Sequence, residues 1–199
     1  MKKTLKISFV VITTLVGILL ILNGYGLFTK VTFSKRDMGP YLLVYDKWVG
    51  DYKVTGAIMK NVSNDLLEQH GIKCASRFGL YLDNPQKVPT EKLRSIGGCV
   101  VTGRTERQLK ALRLKFDVYQ FPRTRSVVSD FPFKGTLSIV LGVMKVYPRL
   151  SEFLIAGNIR PGPVMELYNA SKATITYISP IQLPLEELEN LATGANVNQ

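Results

Sequence analysis

The chain has 199 residues, of which 46% are hydrophobic and 21% are charged. These values exclude an intrinsically disordered protein, and the length predicts a single domain. The formal net charge of +11 favours acidic partners or an anionic surface, but without a helix-turn-helix pattern, a zinc-finger spacing or a tight basic stripe we predict no nucleic-acid binding.

An uncharged, apolar segment covers residues 7–28. At about 1.5 Å per helical residue it is long enough to cross a bilayer core of about 30 Å. It follows a basic flank, residues 1–6, and has no Ala-x-Ala cleavage site, so we predict an uncleaved transmembrane anchor whose partner is the lipid bilayer. The chain is then a single-pass membrane protein, of a bacterial inner membrane or of the endoplasmic reticulum. Basic residues flank the segment equally, a basic linker at 29–36 included, so the side of the membrane stays open.

The first half of the remaining chain is predicted to form a strand, a helix and two further strands. Residues 41–48 are rich in β-branched and aromatic residues, which is typical of a strand. Apolar residues at every fourth position predict a helix over 52–69, which Gly71 ends. The two following strands are predicted at 78–83 and around 97–102.

The cysteines and the single histidine give no chemical signature. Cys74 and Cys99 are too few for a disulfide scaffold and too isolated for a metal site, and whether they pair stays open. His70 precedes Gly71 and is interpreted as a residue at the C-terminal end of the helix. We therefore assign no catalytic residue, no cofactor and no metal.

The second half repeats the same order of elements. A helix is predicted over residues 136–156, and Pro148 inside it should kink or split it. Residues 185–199 are predicted to be a flexible tail. The strands of this half are predicted at 115–121, 126–133, 164–169 and 174–180.

An ungapped repeat at a spacing of 85 residues relates the two halves. It aligns Tyr81 with Glu166 and Trp48 with Phe133. We therefore predict an α+β fold over residues 37–184, a tandem strand-helix-strand-strand duplication with repeats at about 37–104 and 113–182. It has an antiparallel sheet and two helices on one face, preceded by one transmembrane helix. The opposite face can form a groove at the pseudo-twofold axis, where a ligand fits.

Glu166 is the most informative residue for function. Period-two alternation places it on one face of its strand with Val164 and Tyr168, and places Met165 and Leu167 on the other. A carboxylate among apolar and aromatic neighbours is partly desolvated and can recognise a cation. The alternative, a solvated face, is equally compatible with the alternation.

Aromatic residues of the repeat-related strands are the candidate walls of the site. Aromatic rings around a carboxylate suit a lipophilic cation, through cation–π contacts and charge pairing. The alternative is that they belong to the ordinary core. The candidate ligand-binding residues are Glu166, Tyr81, Trp48, Tyr168, Tyr45 and Phe133.

Two segments resemble the signatures of gyrase-inhibitor-like small-molecule-binding domains. They are FGLYLDNPQKVPTEKLRSIGG at 78–98 and PVMELYN at 163–169. The segment at 121–154 resembles the branch of membrane-anchored, testis-expressed receptors for autophagy of the endoplasmic reticulum. The resemblance implies a ligand groove between two halves, with Glu166 as its carboxylate and with Tyr81 and Trp48 as walls.

These observations lead to three hypotheses. The first is a membrane-anchored module that binds a small amphipathic or cationic ligand. The second is a protein adaptor like the receptor branch, without the tail motif that the resemblance associates with it. The third is a hydrolase that uses Glu166 as general base, as the resemblance implies for some relatives.

Overall fold

The computed structural model describes residues 2–103 and 105–193, with the side chains of residues 2–8 outside this description. The described residues form eight strands in one antiparallel sheet, so the predicted α+β class is confirmed. Five α-helices lie in this part of the chain, two more than the three expected. The helices are α1 (Lys2–Gly24), α2 (Thr55–His70), α3 (Glu106–Leu112), α4 (Thr136–Ala156) and α5 (Leu185–Thr193). The strands are β1 (Ser34–Met38), β2 (Tyr41–Val49), β3 (Ser76–Tyr81), β4 (Arg94–Val101), β5 (Asp117–Phe121), β6 (Thr124–Pro132), β7 (Val164–Asn169) and β8 (Thr174–Pro180).

In the described residues, no helix is long and apolar enough to cross a membrane. The predictions of a transmembrane anchor at residues 7–28, of the bilayer as its partner and of a single-pass membrane protein are therefore wrong. The predicted basic flank, residues 1–6, concerns side chains outside the description.

The predicted linker and tail both contain ordered structure. Val31 is buried against α4 and β6, and the next residues enter β1. Helix α5 begins at Leu185 and buries Leu188 and Leu191. Residues 194–199 of the predicted tail lie outside the described residues.

The order of strands in the sheet is β1-β6-β8-β7-β3-β4-β2-β5, with β1 and β5 at the ends. The two ends are connected, because β1 continues into β2 and β5 continues into β6, and these two long segments pair with each other. Met38 lies opposite Thr124 and Tyr41 lies opposite Phe121, so the register continues across a bend at residues 39–40. Gly39 has a positive φ of 89°, and a Cβ there would stand 2.6 Å from the carbonyl oxygen of Pro122. Only glycine therefore fits this crossing of the two chains.

The sheet has an inner and an outer face. One apolar cluster touches all eight strands from the inner face, with Phe78, Leu80 and Met165 near its centre. Helices α2 and α4 cover the outer face, each over one half of the sheet, and α5 covers one end of the inner face. The sheet is therefore curled around its inner cluster.

The two long helices form where the sequence predicted them. Gly71 ends α2 in the left-handed conformation (φ 62°), and its N–H reaches the carbonyl groups of Leu66 and Leu67. Helix α4 has the predicted bounds and contains Pro148 without being divided. Cys74 and Cys99 form a disulfide beside α2.

Candidate functional site

A twofold pattern of strand pairing locates the centre of the molecule. Strands β1 and β2 correspond to β5 and β6 with a shift of 83 residues, Ser34 matching Asp117 and Tyr41 matching Thr124. Exchange of the two halves leaves the strand order unchanged. One row of directly opposed residues crosses the sheet on the outer face: Asp46, Gly97, Gly79, Glu166, Tyr177 and Ser129.

This row shows that Glu166 lies on the pseudo-twofold axis. Asp46 and Ser129 are equivalent by the shift of 83, so Gly79 is the structural equivalent of Glu166, and these two residues pair with each other. The shift between β3 and β7 is therefore 87 residues, which makes Tyr81 equivalent to Tyr168. The constant spacing of 85 residues expected from the sequence is therefore wrong. The spacing is 83 for the strands before the long helices and 87 for β3 and β7 after them, because α4 is longer than α2 (21 and 16 residues).

Glu166 is a buried carboxylate held by two phenols. Its side chain is 1% exposed and faces α4. Tyr147 of α4 donates a hydrogen bond to Oε1 (2.7 Å), and Tyr168 donates one to Oε2. Burial raises the pKa of Glu166, and the two hydrogen bonds oppose this increase. The site thus contains an acid that is stabilised in its neutral form by burial and in its charged form by tyrosines.

Two more tyrosines complete the group around the carboxylate. Burial and the neighbouring Glu166 raise the pKa of Tyr81 and of Tyr177 far above the ordinary range. Tyr81 lies back over Gly79, so that its Oη stands 3.0 Å from the position of a Cβ on that glycine. The Tyr177 ring packs perpendicular to that of Tyr147 with 5.8 Å between the centroids.

Tyr177 carries one of two orphan hydroxyl groups. Among the buried side chains of the described residues, Tyr177 Oη and Ser129 Oγ have no hydrogen-bond partner. Tyr177 Oη lies against α4 at Gly142, where a Cβ would stand 2.2 Å away. Tyr177 lies on β8, next to the strand of Glu166, so its free hydroxyl can donate a hydrogen bond to a molecule bound at the carboxylate or accept one from it.

A second layer fixes the tyrosines. Phe133 packs on Tyr168 (5.5 Å between ring centroids), and Tyr52 packs on Tyr81 (4.9 Å). Tyr52 Oη accepts a hydrogen bond from the backbone N–H of Asp83 at 2.9 Å. The orientation of Tyr81 thus depends on the loop between β3 and β4.

The structure brings four of the six predicted site residues together: Glu166, Tyr81, Tyr168 and Phe133. Tyr45 is not among them, because it lies on the inner face with its hydroxyl towards the Leu191 carbonyl oxygen (3.5 Å). Trp48 lies on β2, three strands from β7, where its Nε1 donates to the backbone oxygen of Asp51 (3.2 Å).

The predicted groove on the face opposite the helices is also misplaced relative to Glu166. At the axis that inner face is filled by Phe78, Leu80 and Met165, while Glu166 points to the helices. The sequence reasoning missed Tyr147 and Tyr177. Tyr147 shares the sheet-facing side of α4 with Leu150 and Leu154, three and seven residues on, and this spacing is a usable signal.

No protein-family model matches the chain. The testis-expressed protein 264 homolog of Mus musculus is 27% identical over 167 residues, which cover 79% of this chain and 52% of that protein. Testis-expressed protein 264 of Homo sapiens is 29% identical over 110 residues, which cover 52% of this chain and 34% of that protein. The chain thus spans about half of the mouse relative and about a third of the human one.

Two solved structures share the fold. The C-terminal domain of EcmrR has a TM-score of 0.54 and 10% identity, covering 77% of this chain and 99% of that one. SAV2435 bound to tetraphenylphosphonium has a TM-score of 0.52 and 11% identity, covering 76% of this chain and 94% of that one. At such identities these likenesses establish the shared fold alone.

Proposed function

We propose that this chain binds a small lipophilic cation at Glu166. The observation that carries the proposal is a fully buried carboxylate on the pseudo-twofold axis, surrounded by Tyr147, Tyr168, Tyr81 and Tyr177. A cation beside Glu166 offsets the cost of burying its charge, and tyrosine faces attract a cation that has lost its water.

The glycines of the first half provide the space. Gly79 and Gly97 lie side by side next to Glu166, where the second half has large side chains. Tyr81 now lies over Gly79, and Met59 and Thr55 stand 3.2 Å from the Cβ position of Gly97. When the Tyr81 side chain moves away, an aromatic group of the ligand can lie flat on Gly79, since no Cβ projects from it.

Tyr147 has to leave the carboxylate when the cation arrives. Its hydroxyl bonds Oε1 in the closed state, so the ligand and this hydroxyl compete for the same oxygen. Only molecules in which Tyr147 has left the carboxylate can bind the cation. The apparent affinity is therefore the intrinsic affinity multiplied by the fraction of molecules in this open state. SAV2435, which shares the fold, was solved with tetraphenylphosphonium, a lipophilic cation that is suitable as a probe.

The test is calorimetric titration of the chain with tetraphenylphosphonium. We expect one site, at least about tenfold weaker binding by Glu166→Gln, and weaker binding as the pH falls, because a proton competes with the cation. The matched control is Asp46→Asn, which removes the carboxylate at the end of the same row. Equal affinity of Glu166→Gln and the parent chain would refute the proposal.

The adaptor and hydrolase hypotheses are not part of this proposal. The adaptor hypothesis rests on the two testis-expressed relatives, and the chain spans only about half of the mouse protein and about a third of the human one. The hydrolase reading needs Glu166 to accept a proton from water, whereas both of its oxygens accept phenolic hydrogen bonds.

A further inference from the structure

The inner face of the curled sheet has one covered end and one open end. Helix α5 covers the end where Tyr45 and Tyr119 lie, with Tyr119 donating a hydrogen bond to Glu187. At the other end, the first residues of β2 and β3 and the last residues of β4 and β7 line a half-open cavity of about 370 Å³. Mouths of curled sheets and barrels are frequent ligand sites, and this volume is within their usual range.

The floor of this mouth cavity is apolar. Val100 and the half-buried Leu167 line it from the inner face, and both belong to or pack against the inner cluster. Tyr41 forms a wall, and its ring stacks on Phe121 with 5.9 Å between the centroids. The floor therefore suits a short aliphatic chain or one ring.

The rim of the cavity offers hydrogen-bond donors. Lys172 is the charged residue of the lining, and within the described residues it forms no salt bridge. Asn169 Oδ1 accepts hydrogen bonds from Ser171 Oγ and from the backbone N–H of Lys172, both at 2.8 Å. The amide N–H groups of Asn169 are therefore its free groups, and Ser76 adds a hydroxyl at the rim.

We propose that the mouth cavity binds a small amphipathic anion, a monocarboxylate or sulfonate with one short apolar tail. The tail packs on Val100 and Leu167, and the anionic group meets the Lys172 ammonium and the Asn169 amide. An ammonium ligand is disfavoured here, because it would meet a like charge and donors without acceptors. This site lies on the face opposite Glu166 and does not depend on the cation site.

The experiment titrates the full chain with decanoate, with decylammonium and decanol as charge-reversed and neutral counterparts of equal length. We expect decanoate to bind with a stoichiometry of one and, in the Glu166→Gln chain that lacks the proposed cation site, more tightly than the other two. Lys172→Gln should weaken decanoate about fivefold. Lys60→Gln, an exposed lysine of α2, is the matched control and should change nothing.

Two further variants separate the outcomes. Leu167→Gln should weaken all three probes, because it removes part of the apolar floor, and Glu166→Gln should leave decanoate binding unchanged while it affects tetraphenylphosphonium. Equal binding of decanoate and decylammonium to the Glu166→Gln chain, in which the proposed cation site is removed, or unchanged decanoate binding in the Lys172→Gln variant, would overturn the proposal. Lys172 is an exposed turn residue, so the Lys172→Gln variant should fold. Its decanoate binding can therefore be interpreted even if Leu167→Gln does not fold.

Discussion

Replacing Glu166 with glutamine removes a titrating group from the centre of the fold and keeps its shape. Burial raises the pKa of Glu166 above its usual 4.5 in the folded chain. The folded state therefore binds this proton more tightly than the unfolded state does. The contribution of Glu166 to stability is present in full below about pH 4.5 and is lost as the pH rises through the raised pKa. The glutamine variant lacks this loss.

The size of the effect follows from linkage. Between pH 4.5 and the raised pKa, the parent chain loses up to about 1.36 kcal/mol of its free energy of unfolding per pH unit relative to Glu166→Gln. Above the raised pKa the difference becomes constant. Because Glu166 is 1% exposed, solvent does little to reduce the pKa shift that sets the width of this pH window.

The assay is urea unfolding of both chains at half-unit steps from pH 4 to pH 8. The quantity plotted is the difference in free energy of unfolding, so that all other titrating groups cancel. Glu152→Gln, on the exposed side of α4, controls for the loss of one negative charge. A Glu166→Gln difference that stays flat over the whole range would show that the carboxylate is not desolvated, and the reasoning about the site would fail.

Four other variants test particular contacts by denaturant unfolding. Tyr177→Phe should leave the free energy of unfolding within about 0.5 kcal/mol, because the hydroxyl has no partner, whereas Tyr168→Phe should cost about 1.5–3 kcal/mol, because it takes a donor from a buried carboxylate; equal costs would contradict this. Replacing Cys74 and Cys99 together by alanine should cost about 3 kcal/mol, as expected for a disulfide that spans 25 residues, and an effect below about 1 kcal/mol would count against the bond. Gly98→Ala should cost more than about 4 kcal/mol or prevent folding, because its Cβ would stand 2.0 Å from a backbone oxygen of β2, and a stable variant would show that the β2–β4 pairing is not as described.

The sequence predicted the elements that have strong local patterns. Helix α4 has the predicted bounds, and Gly71 ends α2 because the left-handed conformation there favours glycine. Strand β1 was not predicted, since four of its five side chains are exposed and polar or charged and it pairs with β6, a strand distant in the sequence. Helix α5 was missed because a nine-residue amphipathic segment near the end of a chain carries little signal on its own.

The centre of the site was visible in the sequence, and its surroundings were not. Glu166 is conspicuous as a carboxylate in an apolar strand. One of the two tyrosines that bind it, Tyr147, comes from α4, and no periodicity within β7 can reveal a contact with another element. The predicted equivalence of Tyr81 and Glu166 is wrong because a constant spacing cannot represent two helices of different lengths. The same alignment paired Trp48 with Phe133 and so wrongly favoured Trp48 as a site residue.

The bend at residues 39–40 has a consequence for how the two halves depend on each other. Strand β1 precedes the first half but pairs with β6 of the second, and β5 precedes the second half but pairs with β2 of the first. Each half therefore lends its leading strand to the other, as two subunits do in a domain-swapped dimer. Expressed alone, a half would have one strand without a partner and one edge without a strand, and a second copy of itself would satisfy both. Covalent linkage makes this exchange intramolecular and independent of protein concentration.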